Sequence, residues 1–142
     1  LGILAWQGQP FALRVRRTAE AQDADIVVEW VEELGARQLG RAETEWSRGA
    51  DGRTGMRVRS FTLALRNPFD PARRLEPVEV RLTAAHEMGH ALGLPHSDSP
   101  RDVMYPTNTA TSLSPRDYET MAGLYRLENG AVLGPEALAA VR

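Results

Sequence analysis

Residues 86 to 96 read His-Glu-Met-Gly-His-Ala-Leu-Gly-Leu-Pro-His, and they contain every histidine in a chain of 142 residues. In an α-helix of 3.6 residues per turn, positions four apart lie roughly 40° from one another on one face. His86 and His90 can therefore aim ring nitrogens at a single ion. Glu87 falls roughly 60° beyond His90 on the same projection, beside the ion and able to reach a water there without joining the ligand shell. Gly93 supplies a residue able to take the left-handed conformation that ends helices. The reversed chain can then return His96 as a third ligand. Three imidazoles leave one position of a tetrahedral zinc open for water, which is the arrangement of a catalytic ion. A structural zinc has less support, because the chain has no cysteine and no evident fourth side-chain ligand. The bland alternative is three histidines that are merely exposed or hydrogen-bonded near one helix. The fixed spacing of His86, Glu87, His90, Gly93 and His96 weighs against it.

Eight residues after His96 comes Met104, within Asp102-Val103-Met104-Tyr105-Pro106. The two motifs together, H-E-x-x-H-x-x-G-x-x-H and then a methionine turn, resemble those of the metzincin clan of zinc peptidases. Ser97 directly after the third histidine, and the Met-Tyr-Pro sequence, are most similar to the matrixins, the matrix-metalloproteinase family. The resemblance implies one catalytic Zn2+ on His86, His90 and His96, with Met104 beneath it in the Met-turn. It implies a zinc metalloendopeptidase acting on peptide or protein substrates through a metal-activated water, with Glu87 as general base and then acid. Tyr105 and Pro106 are assigned to the substrate cleft. Leu82 sits one turn before His86 on roughly the same face. By similarity it lines the pocket for the residue after the scissile bond, so an apolar preference is expected there. Leu82 also reads as plain core, and Met104 as ordinary core filler.

The fold implied is α+β: a metzincin-like catalytic domain with a twisted, mostly parallel sheet, an antiparallel edge strand, an active-site helix and a C-terminal helix. The residues give their own signals for these elements. Phe11, Leu13 and Val15 alternate with polar or small residues, as a half-buried strand does. Residues 24 to 30 are rich in β-branched residues and resemble the matrixin strand with the Ala-Asp-Ile signature. Residues 37 to 46 and 56 to 66 read as two further strands around a Gly-rich turn, with a change of phase near Ser60 that a bulge would explain. The resemblance assigns substrate addition to the strand before the active-site helix, here Ser60, Phe61, Thr62, Leu63 and Ala64. The segment from Asn67 to Pro77 holds three prolines and reads as a loop, followed by a largely apolar helix from Val78 to Leu92. Ser114 is a good N-cap and Pro115 a good first helical residue for a last helix. Asp117 then reads either as a buried carboxylate holding the methionine turn, by similarity, or as a half-exposed residue favoured by the helix dipole. Matrixins often have a second aspartate just before it, where this chain has Arg116.

Length and composition agree with one domain over residues 1–142, with an upper part (1–92) and a lower part (93–142). The N-terminus looks like the tail of a helix, so the domain is expected to be truncated there. A formal charge of −2 argues against nucleic acid and gives no polybasic membrane patch, and no run is long enough for membrane insertion. With no histidine before 86, the second, structural zinc of vertebrate-type matrixins has no ligands here. Asp51-Gly52 resembles part of the family's calcium loop, but the ligands are too few, so calcium is not expected. Secretion follows from the resemblance alone. The alternative to an enzyme is a module that binds zinc and captures peptides without cutting them. Residues 131–142 lie beyond the family pattern and could form one short helix.

Overall fold

A computed structural model describes residues 2–8, 12–48, 50–52 and 54–128. Its main sheet has three strands, β1 (Val27–Val31), β2 (Gly40–Arg48) and β3 (Thr54–Ala64), in the order β1-β3-β2. β3 lies in the middle, parallel to β1 and antiparallel to β2, so the sheet is mixed. The sequence explains that order. Phe61, Thr62, Leu63 and Ala64 are all buried, as in a strand covered on both faces and both edges. β2 carries Arg41, Glu43, Glu45 and Arg48, exposed charges that suit a sheet edge. The register shifts where Glu43 pairs with Ser60 but Thr44 pairs with Val58, leaving Arg59 as the extra residue of a bulge at the change of phase.

This order corrects the assignment of substrate addition to residues 60–64. Ser60 to Ala64 pair with Val27 to Val31 on one side and with Gly40 to Glu43 on the other. Their backbone groups are committed to two ladders, and no extended peptide can add there. The strand that follows β1 in sequence, β2, takes the edge instead.

Two further expectations change. The proline-bearing segment after β3 forms a hairpin, β4 (Arg66–Asn67) with β5 (Asp70–Arg74). Its turn is held by Asn67, whose side-chain oxygen accepts from the Phe69 N–H at 2.8 Å. Pro68 sits in the turn, and Pro71 in a short strand that among the described residues pairs on one side only, where a missing donor costs little. Leu13 and Val15 do pack against the core, but residues 14–18 form no strand. Leu13 makes only an isolated bridge to Gly8, and the Val15 N–H donates to the Gln7 side chain at 2.8 Å. Phe11 and residues 131–142 lie outside the described residues.

Helices α1 (Pro77–Ala91) and α2 (Pro115–Tyr125) complete the fold. α1 packs on the sheet with an unbroken buried stretch from Thr83 to Gly89. A 3₁₀ helix, Gly2–Trp6, packs on it, and Trp6 is fully buried with its indole N–H donating to the Ala85 carbonyl at 2.8 Å. Trp6 meets Tyr118 of α2 edge-on, and the Tyr118 hydroxyl donates to the Ala5 carbonyl at 3.0 Å. Trp6, Phe61, Leu63, Met88, Leu94, Met104 and Met121 form one core that ties the sheet, α1 and α2 together.

The start of α1 is fixed by Glu79. Its carboxylate closes the capping box by accepting from the Glu76 N–H at 2.7 Å, and takes both arms of the Arg73 guanidinium at 2.8 Å. The hydrogen bonds from Arg73 and then Glu76 hold the Glu79 carboxyl well below its ordinary 4.5, at about 2. A depressed folded-state value stabilises above about 4.5 and loses that contribution as pH falls toward 2. Solvent screening of this partly exposed pair keeps the effect small. Glu79→Gln is therefore expected to lower the unfolding midpoint at pH 7, with the gap from wild type closing between pH 4.5 and 2. Thermal unfolding with a chelator present at each pH checks this; a gap constant across that range would refute it.

Candidate metal centre

α1 brings His86 and His90 one turn apart on one face, and their Nε2 atoms lie 3.1 Å from each other. The helix then ends in a Schellman arrangement: Gly93 N–H donates to the His90 carbonyl and Leu94 N–H to the Gly89 carbonyl, both at 2.9 Å. Gly93 makes the reversal at φ +96°, a conformation that L side chains rarely adopt. The returning chain sets His96 Nε2 3.2 Å from His90 Nε2. One nitrogen from each ring falls within 4.8 Å of the others.

Ring tautomers decide what this cluster fits. His86 Nδ1 lies 2.7 Å from the Val103 carbonyl oxygen, and His90 Nδ1 lies 2.8 Å from the Leu94 carbonyl oxygen. A carbonyl only accepts, so each Nδ1 carries the proton and each Nε2 presents a bare lone pair. Burial pushes His86 down to about 4, against the Val103 bond, and it lowers His90 as well. Both rings are therefore neutral near pH 7, and two lone pairs face each other without a hydrogen between them. A cation resolves that arrangement. Nitrogens bound to a tetrahedral zinc at about 2.0–2.1 Å would lie about 3.4 Å apart, close to the spacing here. The donor set fits zinc.

Glu87 is buried beside the cluster, and its side chain turns toward β2. Burial pushes its carboxyl up to about 7, opposed by a backbone hydrogen bond from Ala42. Gly40 leaves room for it: a Cβ there would stand 2.6 Å from Glu87 Oε1 and 2.7 Å from its Cγ. Gly40 was not singled out from the sequence, although a glycine inside a strand pattern is a known sign of close approach.

Met104 is buried beneath α1, and its sulfur occupies the space that a side chain at Gly89 would need. It belongs to a turn in which the Tyr105 N–H donates to the Asp102 carbonyl at 3.2 Å. Asp117 is buried, and its carboxylate accepts from Val103 N–H at 2.9 Å and Met104 N–H at 3.4 Å. Leu82 and Tyr105 are half-buried and Pro106 is exposed. Sequence reasoning missed Trp6 as an anchor of α1, and it missed Asp102, a buried carboxylate whose neighbours gave no pattern. It also missed Asn108, which donates to Thr83 Oγ1 at 2.7 Å and so ties the chain after Pro106 to α1.

Comparison with known proteins agrees with this geometry. The family model for matrixins, peptidase family M10, matches residues 5–126. Macrophage metalloelastase of Rattus norvegicus is 62% identical over 26 residues, 18% of this chain and 6% of its own length. Matrix metalloproteinase-9 of Canis lupus familiaris is 46% identical over 46 residues, 32% of this chain and 6% of its own. Matrilysin of Felis catus is 49% identical over 47 residues, 30% of this chain and 18% of its own. The chain thus spans only a small part of the length of these relatives, and no solved structure gives a significant match. Because the family match runs from the N-terminal 3₁₀ helix past the end of α2, the chain belongs to the matrixins, a family of zinc metalloproteases.

Proposed function

We propose that this chain is a zinc-dependent endopeptidase working as a single catalytic domain. The observation that carries the reading is the convergence of three imidazole Nε2 atoms beside a buried carboxyl group, His86, His90 and His96 with Glu87. Bound zinc would supply the Lewis acidity that polarises a scissile carbonyl and makes water acidic enough to attack it. Glu87 takes the proton from the attacking water as the new C–O bond forms. It delivers that proton to the nitrogen as the C–N bond breaks and the amine leaves. No serine or cysteine nucleophile is needed, and the chain has no cysteine.

The substrate lies along β2. Among the described residues β2 pairs only with β3, so its outer edge offers backbone donors and acceptors to an extended peptide. Gly40 to Ala42 of that strand run directly past Glu87. Leu82, half-buried on α1 one turn before His86, favours an apolar residue after the scissile bond, with Tyr105 and Pro106 on the far wall. Met104 beneath the histidines serves as the Met-turn, and Asp117 holds it. Of the described residues, those up to Leu92 would form the part above the cleft and those from Gly93 to Glu128 the part below. Among the described residues no helix is long and apolar enough to cross a membrane, and we place the enzyme outside the cell with its family.

Cleavage of an unbiased peptide pool by the zinc-loaded chain, with and without chelator, tests this reading. Glu87→Ala is expected to keep zinc and lose about 10²–10⁴-fold in rate. His86→Ala, His90→Ala and His96→Ala should each lose zinc affinity, read by competition with a chromogenic chelator. A folded, zinc-loaded wild type that cuts nothing would leave a peptide-binding module. Gly40→Ala forces the Glu87 carboxylate from its place, so kcat should fall about 100-fold while zinc affinity is unchanged. Wild-type kcat in that variant would show that Glu87 does not depend on the approach of β2.

A further inference from the structure

His86 and His90 each have a carbonyl on the second ring nitrogen, which fixes both tautomer and ring plane. Among the described residues His96 has no such partner, and it is also the exposed member of the three. Its direction is therefore set by the backbone on either side. Before it, the Schellman turn and Pro95 fix the approach. After it comes Ser97, which is held twice. Its N–H donates to the Met104 carbonyl at 2.8 Å, and its hydroxyl donates to Asp102 Oδ2 at 2.5 Å.

Asp102 is an unusual anchor for a loop residue. It is only 3% exposed, and its other oxygen accepts from the Ser114 hydroxyl at 2.7 Å. Ser114 is the N-cap of α2, and the same hydroxyl accepts from the Asp117 N–H at 3.0 Å. Arg116 binds Asp98 at 2.7 Å and lies 3.6 Å from Asp102 Oδ2, so one guanidinium spans both ends of the loop from 98 to 102. The hydrogen bonds form a chain from the first turn of α2, through Asp102, to the residue next to the ligand that lacks an orienting bond. A buried carboxylate serving only to cap α2 would have no need of Ser97.

We propose that Asp102 is a positioning residue for His96, fixing the reach of the third metal ligand by holding Ser97 to the N-terminus of α2. This rests on the reading that the three histidines hold zinc. Removing the anchor lets the 95–97 segment relax, so zinc loses its most weakly fixed ligand while the other two stay in place. Asp102→Asn keeps the volume but gives up the charge and one of the two acceptors.

The test is a double-variant cycle on zinc affinity, measured by chelator competition on the whole chain. Asp102→Asn should weaken zinc about tenfold, at the low end for groups that support a ligand. It should have no effect in a His96→Ala background, because the ligand it serves is gone. The Co2+-loaded Asp102→Asn variant should also show a weakened visible band, reporting a less tightly held site. Where Asp102→Asn does not fold, Ser97→Ala runs the same cycle with the same expectation. An equal loss with and without His96, or unchanged affinity with only a lower unfolding midpoint, would make the role purely structural and overturn the proposal. Failure of the metal reading looks different: wild type would bind no zinc, or would bind it undiminished after loss of any histidine, and the proposal would fall with it.

Discussion

The carboxylate of Asp117, buried in the first turn of α2, accepts hydrogen bonds from three backbone N–H groups: Val103, Met104 and Ser114. Each of those groups is one that a buried turn or a helix start would otherwise leave without a partner, at a cost of about 1–3 kcal/mol each. Once the turn is fixed this way, its carbonyls point outward to the chain that carries the histidines. Val103 holds the ring of His86, and Met104 holds the residue after His96. Two sequence-distant segments, the end of α1 and the start of α2, are thereby referred to one short turn.

Close approach is the second condition. α1 can lie on the turn because Gly89 has no side chain where the Met104 sulfur sits, and Trp6 closes the same gap at 3.0 Å from where a Cβ would be. On the opposite side, Gly40 lets β2 come against Glu87. Both contacts bury polar chemistry in an apolar setting. That burial keeps His86 and His90 unprotonated, so their lone pairs are available, and it draws Glu87 toward the neutral form. Desolvation thus does opposite things to the imidazoles and the carboxyl from one physical cause.

Elements whose signals are local are legible in the sequence. The α2 start at Ser114-Pro115 is a capping pattern read within four residues, and α1 differs from the expected span by one residue at each end. The hairpin at 66–74 was not legible, because prolines in a short edge strand look the same as prolines in a loop. Which strand forms the substrate edge was not legible for a related reason. An apolar run such as Phe61 to Ala64 marks a buried strand but does not say which neighbours flank it. Strand adjacency is a non-local choice, decided by what else needs covering.

The sequence by itself determined the histidine cluster. Three histidines at i, i+4 and i+10 with a glycine between the last two allow little besides a metal-binding helix and a reversal, because helix geometry and glycine's left-handed freedom are properties of the residues. Tertiary structure alone decided what surrounds that centre. The edge passing Glu87 belongs to β2, the carbonyl orienting the His86 ring comes from Val103, and a buried aspartate at 102 ties the neighbour of His96 to the start of α2. Those partners lie up to dozens of residues away in sequence. They meet only because burying one shared core brings their backbones together, and no local pattern records such a meeting.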